Sequence, residues 1–95
     1  MNELLLSSLR KLESLKEGLH TYAYDTGEWI EISIDDYDLY RDNQKFKEVS
    51  KEIRNDFMDK FKLKVVFVYR KAPDNILEDF KKKLKDKGKE LIECH

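Results

Sequence analysis

The seven residues from Leu63 to Tyr69 constrain the fold more than any other part of the chain. Apart from Lys64 they are all apolar or aromatic, and Val and Phe fill the middle of the run. Side chains of a strand alternate between the two faces of a sheet, so an apolar run of this kind is typical of a strand with both faces covered. The run therefore predicts the central strand of a sheet that has helices packed on it.

Three further segments have apolar residues at intervals of three and four, which is the period of an amphipathic α-helix. The predicted helices are residues 3–17, 44–60 and 74–87. For the first of them, Asn2 is the candidate N-cap and Gly18 is the candidate terminator. These helices supply the apolar faces that would cover the sheet.

A β-hairpin is predicted between the first two helices. The segments 19–24 and 29–34 are rich in aromatic and β-branched residues, and Gly27 between them suits a turn with positive φ. Isoleucines alternate with polar residues in the second segment, so we expect one face in the core and one in solvent. Residues 35–43 break the alternation and predict a loop or a short helical turn.

The chain after the long apolar run is predicted to form a helix and a last strand. Pro73 suits the start of the helix, Asn75 and Glu78 have the spacing of a capping box, and Gly88 suits its end. The short run 90–94 is interpreted as an edge strand. It would then complete a βαβ unit with a right-handed crossover.

The order of elements is therefore α-β-β-α-β-α-β, and the predicted fold class is α+β. A mixed sheet of three or four strands would carry the helices. With 95 residues and no internal repeat or linker, the chain is expected to form a single domain over residues 1–95.

The cysteine and histidine content argues against a disulfide, a zinc site or a catalytic dyad. Cys94 is the single cysteine, and His20 and His95 are the two histidines, so ligands at zinc spacing are missing. No segment approaches the ~20 apolar residues that cross a bilayer. We therefore predict no catalytic residue, no cofactor, no membrane association and a cytoplasmic location.

The acids between residues 35 and 42 suggest a cation site, because carboxylates are the ligands of hard cations. An EF-hand loop that begins at Asp36 would need Gly at its sixth position and Glu at its twelfth. The chain has Arg41 and Lys47 there. The specific motif fails, and we predict no bound metal.

Charge is distributed unevenly along a chain whose formal net charge is only −1. Residues 21–43 carry a net charge of −6, and residues 44–71 carry a net charge of +5. The acidic segment also contains tyrosines and the single tryptophan. Aromatic residues beside charges are the composition from which interfaces draw anchoring contacts and electrostatic steering.

We therefore expect a small non-enzymatic binding or inhibitory domain that uses residues 22–42 against a basic surface of a protein partner, as a monomer or homodimer. One concrete version is an immunity, antitoxin or anti-defence inhibitor that occupies a nucleic-acid-binding cleft. The expected contact residues are Asp25, Glu28, Trp29, Asp35, Asp36, Tyr37, Asp38, Tyr40 and Asp42.

Three alternatives stay open at this point. In the first, the acids are only a solvated face, which is the usual role of a charge run. In the second, the chain is a small metal-dependent enzyme. In the third, it binds nucleic acid through the basic segment, with the candidate contacts Lys45, Lys47, Lys51, Arg54, Lys62, Lys64, Arg70 and Lys71.

Overall fold

The computed structural model describes residues 1–71 and 74–94, and of residues 74–76 it describes the backbone alone. The elements along these residues are α1 (Asn2–Glu13), β1 (Thr21–Asp25), β2 (Ile30–Ile34), α2 (Tyr37–Asp42), α3 (Gln44–Phe61), β3 (Val65–Tyr69), α4 (Asp74–Asp86) and β4 (Ile92–Glu93). The strands form one mixed sheet in the order β3-β2-β1-β4, and helices pack on both faces. The α+β class is confirmed, and α2 is the helical turn expected in residues 35–43.

The hairpin β1–β2 forms the middle of the sheet. Its strands are antiparallel, with Thr21 opposite Ile34 and Asp25 opposite Ile30. Between them, Gly27 has a φ of 97°, which is the left-handed conformation that the turn requires. The predicted hairpin is confirmed.

One face of the sheet carries the main core. Ile30, Ile32 and Ile34 of β2 are fully buried there, in contact with the apolar sides of α1 and α3. Leu9 of α1 and Phe57 of α3 are also fully buried. The three-and-four spacing of apolar residues in these helices follows from this single buried side.

The opposite face of the sheet is also covered, contrary to our expectation that one face of the hairpin is in solvent. Glu31 and Ser33 are buried. Phe80 of α4 packs over this face, with its ring centroid 6.3 Å from that of Tyr22 and 5.6 Å from that of Tyr24. Alternation predicted two different faces, but it did not reveal that a helix late in the chain covers the polar one.

The prediction that residues 63–69 form the central strand is wrong, because β3 lies at an edge of the sheet. It pairs in parallel with β2, and no described strand lies on its other side. Val65 and Phe67 are buried, whereas Val66 and Val68 are half-buried. An apolar pattern records covered faces, not the number of neighbouring strands, so it cannot separate an interior strand from a well-covered edge strand.

The predicted pairing at the C-terminus needs a similar correction. β4 is an edge strand, as expected, but it pairs antiparallel with β1 at the far side of the sheet. The parallel neighbours are β2 and β3, and the chain joins them through α2 and α3. The helix α4 packs on β1 and carries the chain past the hairpin, so β3, α4 and β4 do not form a unit of adjacent strands.

Helix α1 is shorter than predicted. It ends at Glu13, and the hydroxyl of Ser14 donates to the carbonyl of Lys11 at 2.7 Å. A serine that bonds locally in this way competes with continuation of the helix. Asn2 is the first helical residue and not the cap, and Gly18 lies in the turn that follows.

Some predictions near the C-terminus cannot be compared with the structure. The helix start at Pro73 and the terminal His95 lie outside the described residues, as do the side chains of Asn75 and Ile76. The helix α4 itself matches the predicted segment 74–87 closely.

Candidate functional site

The predicted contact residues do not form one continuous surface. Asp25, Glu28 and Trp29 lie at the hairpin turn, whereas residues 35–42 follow the other end of β2. A strand of five residues spans about 13 Å, and this length separates the two groups. The acidic segment is therefore divided between opposite ends of the sheet.

At the hairpin turn the polar groups serve the turn itself. Asp25 accepts a hydrogen bond from the amide of Gly27 at 2.8 Å. The hydroxyl of Thr26 accepts hydrogen bonds from the amides of Glu28 and Trp29 at 3.2 and 3.0 Å. Trp29 is half-buried. Of the three candidate contact residues at the turn, Glu28 is the one that is exposed and whose side chain forms no hydrogen bond within the turn.

Asp35 and Asp36 have structural partners as well. The carboxylate of Asp35 accepts from the amide of His20 at 2.9 Å, and that of Asp36 accepts from the amide of Leu39 at 2.9 Å as the N-cap of α2. Asp36 also forms an ion pair with Lys16. The hydrogen bond from Lys16, and then the amide of Leu39, hold the pKa of Asp36 below its usual value.

The exposed part of the predicted site lies on α2 and the end of β3. Tyr37 is 49% exposed and Tyr69 is 38% exposed, and their rings meet edge to face with centroids 5.2 Å apart. Asp38 and Asp42 are exposed on the same short helix and line a shallow groove with Lys16 and Asp36. We call Tyr37, Asp38, Asp42 and Tyr69 the corner surface.

Tyr40 lies deeper, between α2 and the sheet. Its ring centroid is 6.1 Å from that of Phe46 and 6.5 Å from that of Tyr69. Its hydroxyl is 3.5 Å from the carbonyl oxygen of Phe67. Tyr40 therefore positions α2 against the edge of β3 more than it presents a ring to a partner.

The charges on α3 are sorted by side of the helix. At about 100° per residue, Lys47, Lys51 and Arg54 fall on one flank, and the guanidinium of Arg54 lies 5.0 Å from the ring centroid of Phe67 on β3. The acids of the helix fall on the opposite flank: Glu48, Glu52, Asp56 and Asp59. The basic flank is thus the one that faces β3.

A groove runs between this basic flank and β3. Its volume is about 410 Å³, and its lining combines aromatic rings with cations: Tyr40, Arg41, Phe46, Lys47, Ser50, Arg54 and Phe67. We call it the edge groove. Sequence reasoning missed it because β3 was placed inside the sheet, although the spacing of Lys47, Lys51 and Arg54 already marked one helix flank.

The basic residues proposed for nucleic acid do not all converge. Lys47, Lys51 and Arg54 share a flank, but Lys45 lies on the other side of α3 by the same helical geometry. Arg70 belongs to the second face of the sheet. There it donates to Glu31 at 3.3 Å, and its guanidinium lies 4.8 Å from the ring centroid of Phe80.

The side chains of Cys94, Glu93 and His20 contact other residues of the fold and do not form a catalytic arrangement. Burial raises the pKa of the Cys94 thiol to about 11, and the nearby carboxylate of Glu13 acts in the same direction. Glu93 contacts Lys81 at 2.6 Å and His20 at 3.2 Å. Within residues 1–71 and 74–94, no group of three or more His, Cys, Asp or Glu residues is arranged to hold a metal ion.

None of the helices in these ranges has the length and apolar character needed to cross a membrane.

Comparison with family models, curated proteins and solved structures gives no match for this chain. The functional conclusion therefore depends on the geometry of the corner surface and the edge groove.

Proposed function

We propose that this protein is a small non-enzymatic protein-binding domain, and that the corner surface binds a basic surface of its partner. The observation that carries the proposal is the exposed ring pair Tyr37 and Tyr69 at a short helix that also exposes the carboxylates of Asp38 and Asp42. Exposed aromatic rings that support each other lose little conformational freedom on binding, which favours them as anchors.

The acids of the corner surface supply attraction rather than anchoring. Asp38 and Asp42 are exposed, and Asp42 contacts Arg41 at 3.0 Å on the surface. Exposed charges mainly raise the association rate, and salt screens them over about 8–10 Å at physiological ionic strength. One form of such a partner is an enzyme whose basic cleft binds nucleic acid, which this domain would inhibit by occupation.

The experiment uses the full chain as bait in an extract of the cells that make it. Wild type is compared with the corner variant, Asp38→Asn/Asp42→Asn, and with a control, Glu48→Gln/Glu52→Gln. The control removes the same charge from the acidic flank of α3. We expect the corner variant to lose the captured protein and the control to keep it. Capture that is equal in all three proteins would contradict the proposal.

The captured protein then allows a kinetic test. The corner variant should associate more slowly with the purified partner, and the difference should shrink as salt is added. Tyr37→Ala should instead raise the dissociation rate, at a cost of about 2 kcal/mol if the ring is a true anchor. An unchanged dissociation rate would show that Tyr37 is outside the interface.

Binding of nucleic acid is a second candidate function, supported by the basic flank of α3. Lys47, Lys51 and Arg54 are exposed on one side of the helix. The near-neutral chain and the internal pairing of Arg70 with Glu31 weaken it. Measured affinity for a single-stranded oligothymidine that falls steeply with salt would favour this function over the first.

A further inference from the structure

The backbone of β3 has one side that the sheet does not use. The amide of Ile30 donates to the carbonyl of Lys64 at 2.8 Å, and the amide of Arg70 donates to the carbonyl of Ile34 at 2.9 Å. In a parallel ladder the residues that bond one neighbour alternate with those that face away from it. Val65, Phe67 and Tyr69 therefore direct their N–H and C=O groups away from β2.

This free edge lacks most of the features that prevent strand pairing. Proteins protect edge strands with charged residues, proline, bulges or a covering helix, and here α2 reaches the edge through Tyr40. Val65–Tyr69 contains no charged residue and no proline, and its register with β2 is continuous. The hydroxyl of Tyr40 reaches the outward carbonyl of Phe67 at 3.5 Å, a long and weak bond that the amide of an added strand would replace.

The edge groove lies beside this free edge and carries positive charge. In a strand added to β3, every second side chain would point to the face on which α3 lies. Those side chains would meet Arg41, Lys47 and Arg54 at the groove. Carboxylates at alternate positions of the added strand match these cations, and guanidinium groups bind carboxylates with good geometry.

We propose that β3 binds an extended acidic segment of another protein as a fifth strand, with acidic side chains at alternate positions in the edge groove. This surface adjoins the corner surface of the proposed function, because Tyr69 belongs to both, and its groove has the opposite charge. The backbone of β3 would supply affinity, and the groove would select the partner's charge.

Two other occupants fit this edge less well. A second copy of the chain, paired edge to edge about a two-fold axis, would place both α3 helices on one face with their basic flanks towards each other, and like charges oppose such a pairing. Nucleic acid would use the cations but not the alternating donors and acceptors of Val65, Phe67 and Tyr69. The extended acidic segment uses both.

The first test selects binders from a library of random twelve-residue peptides displayed on phage, at low ionic strength. We expect enriched peptides with Asp or Glu at every second position. Lys47→Glu/Lys51→Glu should weaken the binding of a synthetic copy of such a peptide by at least about tenfold, because it reverses one charge in the groove and one beside it on the same flank of α3. The control Lys45→Glu/Lys60→Glu makes the same charge change on the other flank of α3 and should keep most of the affinity. Failure to enrich acidic peptides, or equal losses in both variants, overturns the proposal.

The second test reads the backbone of the wild-type protein by amide hydrogen exchange in NMR. Without peptide, the amides of Val66, Val68 and Arg70 should exchange slowly and those of Val65, Phe67 and Tyr69 quickly. Saturation with the selected peptide should slow the second group by at least about tenfold. Peptide binding without this protection overturns strand addition. Oligothymidine that binds while the acidic peptide does not overturns the proposal in favour of nucleic acid, and dimerisation with protection of the same amides overturns it in favour of a second copy.

Discussion

The hydroxyl of Tyr40 on α2 lies 3.5 Å from the carbonyl oxygen of Phe67 on β3. This contact joins the short acidic helix to the edge of the sheet, between the corner surface and the edge groove. The two candidate surfaces therefore share one structural support. A change in Tyr40 tests how much that support depends on the hydroxyl and how much on the ring.

We expect Tyr40→Phe to lower the free energy of unfolding by no more than about 1 kcal/mol, because the hydrogen bond is long and the ring contacts with Phe46 and Tyr69 remain. Tyr40→Ala should cost clearly more, since the ring is lost. Urea denaturation of the three proteins measures both values. Similar costs for the two variants would assign the support to the hydroxyl alone.

The burial of a strand side chain should determine how much its truncation to alanine lowers the free energy of unfolding. Ile32 is fully buried in the interior strand β2, so Ile32→Ala should cost about 2–5 kcal/mol. Val66 is half-buried on the edge strand β3, and Val66→Ala should cost about 1 kcal/mol. Denaturant midpoints check the difference, and equal costs would contradict the half-buried position of Val66.

The N-cap of α2 separates two roles of Asp36. Asp36→Ala removes both the cap to Leu39 and the ion pair with Lys16, and it should destabilise the protein by about 1 kcal/mol. Asp36→Asn keeps a good capping residue and should cost only a few tenths of a kcal/mol, because the ion pair is near the surface. Thermal or urea unfolding that gives equal losses would place the main effect in the ion pair.

Acid should weaken the contacts of Glu93. Burial tends to raise the pKa of this carboxyl, but hydrogen bonds from Lys81 and His20 bring it below its usual value of 4.5. Since the pKa is lower in the folded state than in the unfolded state, the stabilisation is complete above about pH 5 and is lost as the pH falls through the folded value. Glu93→Gln should therefore be less stable than wild type at neutral pH, and the difference should shrink towards about pH 3. Parallel pH curves of unfolding midpoints would contradict this.

The thiol of Cys94 should react slowly in the folded protein. With its pKa raised to about 11, roughly one thiol in a thousand is ionised at about pH 8, and the thiolate is the reactive form. Alkylation by iodoacetamide should be about 100-fold slower in buffer than in urea. Mass spectrometry follows the reaction, and equal rates would show that the thiol is exposed and unperturbed.

The placement of the acids explains why only part of the predicted site is exposed. Asp25, Asp35 and Asp36 were expected to face a partner, but their carboxylates accept backbone hydrogen bonds. Asp25 accepts in the hairpin turn, Asp35 from the amide before β1, and Asp36 at the start of α2. Aspartate is common in turns and at helix N-caps for this reason. Composition revealed the excess of acid, whereas only coordinates separate an acid that caps a backbone from one that is free to attract a partner.

Local features determined what the sequence alone established. The helices α3 and α4 and the hairpin follow from residue spacing, because a helix and a strand each repeat at a period that a buried face imposes on neighbouring residues. The turn at Gly27 could also be predicted from the sequence, since a left-handed φ is a local preference of glycine. Each of these depends on side chains within a few positions of one another.

The tertiary structure alone decided the order of the strands and the partner of each face. Strands pair through backbone groups that are alike in every residue, so the apolar run in β3 indicated burial but not an edge. The same holds for the cover that Phe80 provides over Tyr22, which joins residues far apart in the chain. The free edge of β3, and the basic flank of α3 that faces it, exist only once those long-range neighbours are in place.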